Sequence, residues 1–146
     1  MVRNTLYIII VLVGLLCSGC QNNGNIGTMF GSWRLDEMTV NGDVGIGQEI
    51  TNTVFSFQNN IVAVTSQYDD YMSNLEVYGT WLWYNEDTLM FSFQNYENPA
   101  NNVAPYWIGF TTDEVMTMRV TDRTSRTMTL HWEYDGNEYV YKLKKI

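Results

Sequence analysis

Thr127-Met128-Thr129-Leu130-His131-Trp132-Glu133-Tyr134-Asp135-Gly136-Asn137-Glu138-Tyr139-Val140-Tyr141-Lys142-Leu143-Lys144 is the stretch that decides the fold. Successive side chains of a β-strand point to opposite faces. Met128, Leu130, Trp132 and Tyr134 therefore share one face, and Thr127, Thr129, His131 and Glu133 the other. After Asp135-Gly136-Asn137, a tight turn of the kind that joins hairpins, Tyr139, Tyr141 and Leu143 repeat the apolar face while the charges alternate outward. Two strands with one greasy face each and a short turn between them specify an antiparallel pair with a buried side.

Working outward, the same grammar recurs. Residues 32–40 open with Gly31-Ser32-Trp33 and stop at Asn41-Gly42, a strong turn dipeptide. Residues 42–47 read as a glycine-dotted loop. Residues 53–58 send Phe55 and Phe57 to one face, Asn59-Asn60 fits a two-residue hairpin turn, and residues 61–68 pair back. Residues 75–84 are apolar on both faces, with Val77, Trp81 and Trp83 on one and Tyr78, Leu82 and Tyr84 on the other. A strand of that kind is covered on both sides. Gly79 within it marks a bend or a close backbone approach. Residues 88–94 align Leu89, Phe91 and Phe93, and residues 114–121 align Met116, Met118 and Val120. Residues 95–105, with Pro99, Pro105 and four asparagines, break the rhythm and read as a lid or binding loop. Residues 106–110 read as a short strand or a plug.

The fold expected is all-β, with about eight antiparallel strands in an up-and-down barrel spanning residues 30–146. Closure removes the sheet edges that a meander otherwise leaves bare. The second candidate is an open sandwich. Composition agrees: aromatic residues make up 14% of the 146, ten of them Tyr, with only two prolines. The formal net charge of −8 argues against nucleic acid, because no basic cluster exists beyond Lys142, Lys144 and Lys145.

The chain begins with a different grammar. Arg3 is followed by an apolar run over residues 6–16 and then by small residues, the order of a secretory signal too short to span a bilayer. The end of this signal resembles the bacterial lipoprotein lipobox, with Ser18 and Gly19 ahead of an acylated Cys20. Cys17 occupies the place where that family usually has Leu. The resemblance implies cleavage after residue 19, acylation of Cys20 and a flexible tether over residues 20–29. More than one acyl chain makes membrane attachment stable. The expected location is the outer membrane, on the periplasmic face in preference to the cell surface. With Cys17 removed and Cys20 acylated, no disulfide remains, since the chain has two cysteines.

Gly31-Ser32-Trp33 also resembles the Gly-x-Trp signature of lipocalins. Residues 31–146 resemble the lipocalin-like (calycin-like) lipoproteins of Bacteroidetes, with echoes at Tyr78-Gly79-Thr80-Trp81 and at Met128-Thr129-Leu130 through Lys145. The resemblance implies a ligand-binding barrel in which a basic residue of the last strand packs over Trp33. Lys142 and Lys144 are the candidates for that contact.

Catalytic and metal chemistry is thin. His131 is the one histidine and lies on an outward position. Ser-His-acid catalysis would need it beside an activated serine, and no Gly-x-Ser-x-Gly occurs. Adjacent carboxylates such as Asp69-Asp70 point to opposite faces of a strand. Met116, Met118 and Met128 read as core filler in preference to a copper site. No enzyme activity and no cofactor are expected. An eight-stranded barrel is either filled by its own side chains or leaves room for one small ligand. The candidate ligand-binding residues are Trp33, Trp81, Trp83, Tyr96, Tyr106, Trp107 and Trp132, with a mouth near Tyr96, Tyr106 and Trp107. The expected partners are the membrane, a small apolar or amphipathic ligand and, alternatively, an envelope protein docked on the outer surface.

Overall fold

The computed structural model describes residues 24–44, 52–67 and 74–146. The signal segment, Cys20 and the first part of the tether lie outside the described residues. The strands are β1 (Gly31–Val40), β2 (Asp43–Val44), β3 (Thr53–Gln58), β4 (Ile61–Gln67), β5 (Asn74–Asn85), β6 (Thr88–Ser92), β7 (Met116–Thr121), β8 (Thr127–Tyr134) and β9 (Asn137–Lys145). From β3 to β9 each strand pairs antiparallel with its successor, β1 pairs with β3, and β9 returns to β1. The result is a closed, eight-stranded, up-and-down barrel with a lipocalin-like fold. The two residues of β2 extend the β3 side of β1 at Thr39 and Val40.

Turn chemistry places the hairpins. Asp135 and Gly136 have φ of 49° and 74°, the two positive values that a tight hairpin turn between right-twisted strands requires. The barrel has two unlike ends. At one lie the start of β1, the end of β9 and the connections β3–β4, β5–β6 and β7–β8. At the other, the loop end, lies the long β6–β7 connection, residues 93–115, beside the β8–β9 turn.

The interior is filled with rings. Phe55, Phe57, Phe91 and Tyr141 are fully buried, with Leu35, Leu89, Met116 and Met118 around them. Phe57 meets the edge of Trp81 at a centroid separation of 5.1 Å. The loop end is stoppered by residues 106–110, which form a 3-10 turn at Tyr106–Ile108 followed by Gly109. Gly109 adopts φ of 79°, and a Cβ there would lie 2.8 Å from the Tyr139 ring. That bend drives Phe110 into the barrel against Phe55, Phe91, Trp132 and Tyr141, at 5.4 to 6.2 Å. Of the two readings of residues 106–110, the plug is the one observed.

A 3-10 helix, Gly24–Met29, within the stretch expected to be tether, caps the opposite end. Met29 is buried, and its carbonyl accepts the Trp33 Nε1 hydrogen at 3.0 Å. The basic residue over Trp33 is neither Lys142 nor Lys144 but Lys145. Its Nζ sits 5.4 Å from the ring centroid and donates to the Thr28 carbonyl at 2.7 Å. Register explains the correction. Lys145 is the direct partner of Trp33 and shares the inner face of Tyr141 and Leu143. Strand alternation turns Lys142 and Lys144 outward, and Lys142 meets Glu37 at 2.8 Å.

The second face of β5 is bare. Tyr78, Leu82 and Tyr84 are 62%, 53% and 71% exposed, and residues 106–110 do not cover them, since that segment turns Ile108 and Phe110 into the barrel end.

Candidate functional site

The candidate ligand-binding residues divide into three groups. Trp33, Trp81 and Trp132 are buried in the core. Trp132 stacks on Tyr134 at 4.9 Å, and the buried Trp81 Nε1 has no hydrogen-bond partner among the described residues. Trp83 is half-buried on the short-turn side, with the Arg123 guanidinium 4.7 Å above its ring. Tyr106 and Trp107 lie at the loop end, edge to face at 5.6 Å. Trp107 is anchored by a 3.1 Å hydrogen bond from Nε1 to Thr53 Oγ1. Of the seven candidates, only Tyr96 lines the groove described next.

That groove, of about 760 Å³, lies beside the plugged mouth. It exists because β5 has twelve residues and β6 only five. The ladder between them begins at Thr80 and Ser92, so the chain leaves the barrel wall there while β5 continues back to Asn74. Phe93, the first residue beyond β6, stays buried and lays its ring on Gly79. The approach is so close that a Cβ on Gly79 would be 2.7 Å from both the ring and the Ser92 carbonyl. Val77, Gly79 and Phe93 form the floor, while Tyr78, Tyr96 and Val103 supply apolar walls.

The loop side is held by its own polar side chains. Asn95 Oδ1 accepts the Glu97 and Asn98 amides at 3.1 and 2.9 Å, and the Asn95 amide donates to Asn102 Oδ1. Tyr96 donates its hydroxyl hydrogen to Gln94 Oε1, and Gln94 Nε2 donates to the Asp113 carbonyl. The asparagines that broke the strand rhythm thus build the wall. Glu76 and Glu97 are the charged residues of the groove. The Glu76 carboxylate, chiefly by hydrogen bonding, raises the pKa of the neighbouring Tyr78 hydroxyl above its ordinary value.

A second groove, of about 550 Å³, runs over β1, β8 and β9, and four of its charged residues are paired. Arg34 pairs with Asp36 at 2.7 Å and Lys142 with Glu37. His131 is half-buried on the outside, with Nε2 3.1 Å from Thr121 Oγ1 and Nδ1 3.5 Å from Glu138. Among the described residues, no group of three or more His, Cys, Asp or Glu side chains is placed to hold a metal ion. Met116, Met118 and Met128 are packed in the core.

Sequence reasoning missed Tyr78, Phe93, Val103, Glu76 and Glu97 as groove residues. Gly79 carried the one signal, a glycine inside an apolar strand. The fold defines a β-barrel protein of lipocalin-like architecture, with a groove beside its stoppered mouth. No protein-family model matches the chain, and a search of the curated proteins finds no match.

Proposed function

We propose that the protein is a lipid-anchored, non-catalytic binding protein of the bacterial cell envelope. Residues 1–19 direct export and acyl chains on Cys20 hold the chain at the outer membrane, periplasmic side. The lipocalin-like barrel then carries a small apolar or amphipathic molecule in the groove beside its mouth. The groove carries this reading: it is walled by exposed aromatic rings, while the barrel interior is occupied by Phe55, Phe91, Phe110 and Trp132. Concave, mostly apolar surface with a few polar groups is the usual form of a small-molecule site.

Two measurements test it. The uncharged dye 1-N-phenylnaphthylamine is expected to brighten on binding the full chain, and Tyr96→Ala together with Val103→Ser to weaken it severalfold. A dye indifferent to those changes sinks the groove as the site. For the anchor, Cys20→Ala is expected to abolish labelling by a fatty-acid analogue and release the protein from membranes. Unlabelled wild-type protein in the soluble fraction would refute the lipobox reading and point to Cys17.

The exposed outer face of β5 favours a second reading, a lipoprotein that docks an envelope partner through Tyr78, Leu82 and Tyr84. Contiguous apolar patches of that kind are uncommon on monomers unless something binds there.

A further inference from the structure

The floor of the groove is a strand edge. Trp81 donates its backbone N–H to the Asn60 carbonyl at 3.0 Å, which fixes the hydrogen-bonding phase of β5 against β4. The β4–β5 register is unbroken from Ile61–Thr80 to Gln67–Asn74. In an antiparallel pair, alternate residues direct their N–H and C=O toward the partner strand and away from it. Gly79, Val77 and Leu75 thus bond β4, while Tyr78 and Glu76 present theirs to the opposite side. On that side Thr80 meets Ser92, and β6 ends there. Among the described residues no backbone partner faces the N–H and C=O of Tyr78 and Glu76. A bare edge is a template for another strand.

Resting on the binding reading above, we propose that the groove's ligand is a short extended peptide that adds as a strand to the Asn74–Gly79 edge of β5 and alternates apolar and basic residues. Six strand residues span about 20 Å, so the edge takes a peptide of about six residues. The alternation follows from the two sides of that edge. Val77 and Phe93 are buried on the barrel side, where the peptide's apolar residues fall. Glu76 and Tyr78 are on the outer side, with Glu97 across the groove, where lysine or arginine meets carboxylate. Opposite charges across a strand pair stabilise it and like charges oppose it. That rule also disfavours a second copy of this chain paired about Glu76, since the two Glu76 carboxylates would then lie opposite each other.

The test is titration of the full chain with a hexapeptide alternating lysine and valine, its glutamate–valine counterpart, and 1-N-phenylnaphthylamine. The basic peptide is expected to bind saturably, to displace the dye and to weaken with salt, whereas the acidic one fails. Glu76→Gln with Glu97→Gln should weaken the basic peptide about tenfold and remove most of its salt dependence. Methylating the peptide's backbone nitrogens at alternate positions tests the edge without altering the protein. One phase of methylation should abolish binding and the other preserve it. Equal binding of both phases overturns strand addition. Dye binding at the groove with no peptide binding overturns this inference and leaves the binding reading standing; failure of both ligands defeats the two together. Concentration-dependent dimers that Glu76→Gln strengthens would assign the edge to a second copy instead.

Discussion

Tyr141 donates its hydroxyl hydrogen to the carbonyl oxygen of Ile108 at 2.8 Å, and by that bond the last strand holds the plug in the barrel end. The phenol is fully buried and its pKa lies well above the ordinary value near 10, through burial first and the neighbouring Tyr139 second. Above pH 10 the unfolded chain ionises this phenol while the folded one keeps it neutral. The unfolded state then binds fewer protons, so the contribution is intact below pH 10 and is lost as pH rises through the folded-state value. Tyr141→Phe is expected to cost about 1–2 kcal/mol at neutral pH by orphaning the Ile108 carbonyl. It should also flatten the fall of stability above pH 10. Urea midpoints at pH 8 and pH 11 for both proteins check the two effects, and parallel pH curves would refute the assignment.

Phe110 occupies the centre of the ring cluster, so its removal leaves a hole bounded by strands that cannot close in. Phe110→Ala is expected to destabilise the barrel by about 3–5 kcal/mol. The near-ultraviolet circular dichroism of the aromatic core should weaken with it. A loss within about 0.5 kcal/mol, the range of a surface change, would show that the plug is not structural.

Gly79→Ala tests the wall of the groove. The added methyl meets the Ser92 carbonyl and the Phe93 ring at 2.7 Å, and the carbonyl belongs to the ladder with Thr80 and cannot step aside. Overpacking of this kind costs about 1–3 kcal/mol. Thermal unfolding should register the loss, and dye binding should fall with it because Phe93 is pushed from the floor.

Leu82→Asp separates a free surface from a docked one. Leu82 is 53% exposed, so the melting temperature should move little, with ΔΔG within about 0.5 kcal/mol. If the outer face of β5 docks an envelope partner, the same change abolishes co-purification of that partner from membranes. Co-purification that survives Leu82→Asp eliminates the second reading.

The barrel was legible because its signals are local. The alternation in Thr127–Tyr134, the turn at Asp135-Gly136 and the paired phenylalanines of β3 report strand, turn and inner face within a few residues of one another. The groove was not, because it arises from a difference in length between β5 and β6, and only the register of their pairing reveals where the shorter one stops. Gly79 announced a close approach, yet nothing near it named Phe93 as the visitor. Burial was no easier to read: Trp33, Trp81 and Trp132 have the composition of a ligand cage and the positions of a core. Lys145 shows the reverse case, where strict alternation already excludes Lys142 and Lys144 from the face of Trp33.

The partnership of Trp33 with Lys145 also sets a timetable. The seam that shuts the cylinder joins β1 to β9, two strands with every other strand of the barrel between them in sequence. Without that pairing the sheet is an open ribbon whose two borders, β1 and β9, lack a partner. Pairings between the extremes of a sequence form slowly because a long loop must be closed first. Closing the cylinder is therefore the slow step of folding, and it waits on the pairing most distant in sequence.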